Sequence, residues 1–99
     1  MKIKFAEKDR QKILAAIQTT MGDRKLGEMV SFKLVSAGLD VVISKLGTST
    51  ISFKEKVMDD GIEYTLAGEK IAFAHKPFKD EVTQKIAKVI QASGGKVTA

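Results

Sequence analysis

The stretch VSFKLVSAGLDVVIS, residues 30–44, decides the fold. Val30, Phe32 and Leu34 fall on one side of it and Ser31 and Lys33 on the other. A repeat of two is the period of a strand, whose successive side chains point to opposite faces. Ala37-Gly38 interrupts the run as a turn would, and Leu39, Val41 and Ile43 then restore the same alternation. Val42 and Leu46 are apolar too, so the second run reads as a central strand rather than an edge.

Working outward, the pattern continues on the C-terminal side. A turn around residues 47–49 leads into TISFKEKV, where Ile51 and Phe53 oppose Ser52 and Lys54. Asp60-Gly61 is a strong hairpin signal, because both residues tolerate the positive φ that a tight turn needs. IEYTL follows, then a second turn at Ala67-Gly68-Glu69, then KIAFAH as a last strand with Ile71 and Phe73 facing inward. Pro77 ends that strand, and Phe78, Val82, Ile86, Val89 and Ile90 form a helical stripe. Gly94-Gly95 stops the helix, and residues 94–99 are expected to fray.

On the N-terminal side, Ile3 and Phe5 alternate with Lys2 and Lys4 as a short strand. Ile13, Leu14, Ile17 and Met21 then recur at helical spacing up to Gly22. The whole is an α+β two-layer sandwich: a curved antiparallel meander sheet, in the order β-α-β-β-β-β-β-α, with two helices on one face. Residues 1–99 read as a single domain, since a chain of 99 residues with 43% hydrophobic content supports one core.

The composition excludes several chemistries. Without cysteine there are no disulfides, thiolate metal sites or cysteine nucleophiles, and a reducing cytoplasm is the expected location. No apolar run approaches the roughly 18 residues needed to span a bilayer, so no membrane insertion is expected. With one histidine, a transition-metal site would need carboxylates from separate turns, and no spacing suggests it. No cofactor is expected. The loop GDRKLGEM, residues 22–29, has two glycines but lacks the Lys-Ser/Thr pair of a phosphate loop, and reads as a solvated connection. Asp59-Asp60-Gly61 lacks the alternating acids of a calcium loop.

IAFAHKPFKDE, residues 71–81, holds the one histidine and the one proline. Its plain reading is a strand-to-helix joint in which His75 bonds locally. Its sharper reading is a small-anion site formed by His75, Lys76 and Lys79 at a helix start, where cations oppose the macrodipole. Serine catalysis would require the fold to bring a serine next to His75.

Parity places Phe32, Phe53, Tyr64 and Phe73 in the core and leaves a lightly charged, hydroxyl-rich open face. Ser31, Lys33, Val42, Ser44, Ser52 and Lys54 are its candidate partner-binding residues. The first functional expectation is a non-catalytic binding or accessory module that acts through this open face or an edge strand. Its partner would be another protein or a second copy of the chain, as a homodimer. One alternative is a basic adaptor for RNA or another polyanion, in keeping with a net charge of +5. Another is a small-ligand pocket between sheet and C-terminal helix, lined by Phe73, Phe78 and Val82.

Overall fold

The computed structural model describes residues 1–22 and 29–98. The loop reading for residues 22–29 therefore lies almost wholly outside the described residues. Strand β1 (Lys2–Phe5) is followed by helix α1 (Arg10–Gly22) and by β2 (Val30–Val35), β3 (Gly38–Ser44), β4 (Thr48–Met58) and β5 (Gly61–Lys70). A short 3-10 helix (Phe73–Phe78) leads directly into α2 (Lys79–Ala92), and β6 (Gly95–Thr98) closes the chain. All pairings are antiparallel, in one six-stranded sheet of order β2-β3-β4-β5-β1-β6. The α+β class with two helices on one face stands as expected.

Parity governs the layers. Phe32, Val41 and Ile51 lie side by side across β2, β3 and β4, as do Leu39 and Phe53 across β3 and β4. Directly paired residues of an antiparallel ladder share a face, so these side chains stack into one apolar surface. Ile13, Ile17 and Met21 of α1, spaced four apart, and Ile86, Val89 and Ile90 of α2 pack onto it as one continuous core. Asp9 caps α1 by accepting the Gln11 N–H at 2.9 Å. Arg10 ties α1 to the turn between β2 and β3, donating to the carbonyls of Val35 and Gly38 at 2.6 and 3.0 Å. Its Nε lies 3.2 Å from Glu55, the carboxylate that also accepts the hydroxyl of buried Tyr64.

Two segments differ from the sequence expectation. KIAFAH is not a strand. Ala67-Gly68 is not a turn but an irregularity inside β5: Ser52 pairs with Gly68 and Phe53 with Leu66, which leaves Ala67 as an extra residue. The bulge lets β5 run on to Lys70 opposite the long β4, after which the chain bends into the 3-10 helix. Phe73, expected in the core, is 87% exposed. The other correction concerns residues 94–99, expected to fray. Gly94, at φ 101, reverses the chain after α2, and Gly95–Thr98 pairs with β1. Gly95 is required there, because a Cβ would press on the Phe5 ring and on Ile90.

Candidate functional site

The bend that replaces the expected last strand opens a cleft of about 450 Å³ at one end of the sandwich. Its walls are Ile43 and Ile51 from the sheet, Ile71 and Phe78 from the bend, Val82 from α2, and Met29. Leu46 lies at its mouth, 85% exposed and at φ 56, a left-handed conformation that costs a leucine about 1 kcal/mol or more. Phe78 flanks the cleft and is itself more than half exposed. Of the three residues expected to line a pocket here, Phe78 and Val82 do so. Phe73 does not, because the 3-10 helix turns its ring outward.

A hydrogen-bond relay holds the cleft in shape. Ser49, the one buried polar residue of the described chain, accepts the Ala72 N–H at 2.8 Å and lies 2.5 Å from His75 Nδ1. His75 Nε2 is bonded to the Lys45 carbonyl. A carbonyl can only accept, so Nε2 carries the hydrogen, and in the neutral ring Nδ1 accepts the Ser49 hydroxyl. The relay ties the start of β4, the turn after β3 and the chain leaving β5 into one unit. The imidazole is bonded to partners 26 and 30 positions away in the chain.

The fold thus does bring a serine beside His75, but neither side chain is left open to a substrate. Ser49 is fully buried with its oxygen engaged twice, and both imidazole nitrogens have protein partners. Of the three residues of the anion reading, His75 and Lys79 line the cleft and Lys76 does not. Lys79 bridges to Glu69 at 2.7 Å, and that carboxylate holds its pKa above the ordinary lysine value. The Lys76 ammonium lies 5.8 Å from the centre of the Phe73 ring, within cation–π range. These contacts answer the macrodipole misfit from within the chain. Lys85, also on the cleft, pairs with Glu81 at 3.2 Å, one helical turn back.

The residues proposed for partner binding lie elsewhere, on the uncovered side of the sheet. Ser31 stands beside Val42, Lys33 and Ser52 flank Asp40, Lys54 faces Gly38, and Ser44 faces Thr48. Among the described residues no group of three or more His, Cys, Asp or Glu side chains could hold a metal, and no helix is long and apolar enough to cross a membrane.

Sequence reasoning missed Ser49, which it assigned to a turn. The signal was present: Ser49 shares the parity of Ile51 and Phe53, and a serine in register with core residues needs a buried partner. No protein-family model matches the chain, and no curated protein or solved structure matches it.

Proposed function

We propose that this protein is a non-catalytic binding module whose cleft between sheet and α2 takes a small, neutral, mainly apolar molecule. The observation that carries this reading is a cavity with mainly apolar walls, most of whose polar lining residues already bond within the chain. Ser49, His75, Lys79, Glu81 and Lys85 each bond within the chain, so a ligand meets mainly isoleucine, valine and phenylalanine, with the Lys45 and Thr83 side chains as the polar groups left for it. A volume of about 450 Å³ lies within the range of small-molecule sites, about 300–1,000 Å³. The exposure of Leu46 and Phe78 at the mouth supports the same reading, since both would lose contact with water when a ligand is seated.

The test uses N-phenyl-1-naphthylamine, a neutral fluorescent probe. Saturable binding near tens of micromolar is expected, as about −6 kcal/mol is reasonable for a molecule of that size. Amide shifts should centre on Ile43, Ile51, Ile71 and Val82. Val82→Trp, which fills the cleft, should abolish binding, and Thr83→Trp serves if that variant does not fold. Non-saturable fluorescence, or shifts centred on another surface, would remove the proposal.

A further inference from the structure

The sheet order gives the open face a character that no single strand reveals. In the register, Lys54 is followed by Thr65, Lys2 and Thr98 across β4, β5, β1 and β6. The next row reads Lys56, Glu63, Lys4 and Lys96. Lys33 and Lys70 lie on the same side, in the rows of Asp40 and Thr50. Lys2, Lys33, Lys54, Lys56, Lys70 and Lys96 are all exposed, whereas Lys4 is held by Asp60 at 2.7 Å. Among the described residues, Asp40 and Glu63 are the acids within these rows. The face is therefore strongly basic, which corrects the lightly charged surface expected from the central strands alone. The missing lysines come from the two terminal strands and from the far ends of β4 and β5.

We infer that this face binds the phosphate backbone of a nucleic acid without reading its sequence. Charge complementarity selects a polyanion and opposes a second copy of the chain, which would set lysine rows against lysine rows. Lys54 and Lys56 stand two residues apart on β4, about 6.6–6.8 Å, a spacing comparable to that of successive phosphates. The chain's aromatic rings are absent from the face: Phe5, Phe32, Phe53 and Tyr64 are buried beneath the helices, and Phe73 and Phe78 lie at the cleft end. With no ring to stack on bases, binding is to phosphate and is indifferent to sequence. Val35, Val42 and Met58, all half-buried, are the apolar strand residues of the face, too little to anchor in a bilayer.

This inference does not depend on the cleft. Its test is fluorescence anisotropy of the full chain with a labelled oligouridylate about 20 nucleotides long. Four or five phosphate contacts, at about 0.7 each for a single strand, predict a loss of roughly 50- to 130-fold in affinity between about 50 and 200 mM salt. Lys54→Gln with Lys56→Gln should flatten the slope of log K against log salt by about 1.4, at about 0.7 per contact for a single strand. Lys12→Gln with Lys88→Gln removes the same charge from exposed helix positions and should change binding far less. Equal loss in both double variants, no saturable binding at low salt, or tighter binding to phosphatidylserine vesicles or polyglutamate at matched charge would each overturn the inference.

Discussion

Ser49→Ala is the sharpest perturbation of the relay that shapes the cleft. It removes one oxygen and leaves two groups without their partner, the Ala72 N–H and His75 Nδ1. Both residues are half-exposed, so water replaces part of what is lost and each group contributes near the lower end of the 1–3 kcal/mol range. The expected loss is about 2 kcal/mol, or a fall in Tm of about 10 °C for a domain of this length. Calorimetry and urea unfolding measure it. His75→Ala should cost about 1 kcal/mol, because the Lys45 carbonyl it abandons lies in an exposed turn. The double variant should show a coupling of about 0.5–1.5 kcal/mol. Amide exchange then separates the two bonds of Ser49: the Ala72 amide should exchange faster in Ser49→Ala and stay protected in His75→Ala. A Ser49→Ala protein within about 0.5 kcal/mol of the parent, with Ala72 protection unchanged, would refute the relay.

Two further outcomes follow from the core and the sheet. Burial, and next the bond to Glu55 at 2.9 Å, hold the Tyr64 phenol above its ordinary pKa of 10.0. A raised pKa stabilises fully below the unfolded value, so this contribution should fall above about pH 10 by about 1.4 kcal/mol per pH unit. Tyr64→Phe should unfold with a correspondingly shallower alkaline slope in urea midpoints, and identical slopes would count against the buried bond. Gly38 sits against the Phe53 carbonyl of the neighbouring strand, so Gly38→Ala should cost more than about 3 kcal/mol. Gly68→Ala, with nothing within 4 Å of the added carbon, should change stability by less than about 0.5 kcal/mol. Similar effects on thermal unfolding would show that the close approach of β3 and β4 at Gly38 is wrong.

Side-chain parity was legible along the chain because it is a local property. Alternation in residues 30–44 and 50–54 placed Phe32, Val41, Ile51 and Phe53 on the covered side, where they are buried. The helical stripes assigned Ile13, Ile17, Met21, Ile86, Val89 and Ile90 correctly for the same reason. Gly68 was harder, since glycine serves a turn and a bulge equally well and only the pairing of β5 with the long β4 distinguishes them. That one ambiguity put Phe73, which is exposed, into the expected core and among the expected pocket walls.

By itself the sequence determined the class of fold, the side of the sheet that residues 30–44 and 50–54 face, and the two helices that cover it. Period and turn chemistry act within a few residues, so a single chain displays them. Tertiary structure alone decided that GKVT pairs with β1 instead of fraying, that Ser49 meets His75 26 residues away, and that lysines from β1, β2, β4, β5 and β6 share one surface. Each of these depends on which distant segment lies alongside. That choice is set by the shared core and by the closing of the sheet edge, and short-range pattern does not encode it.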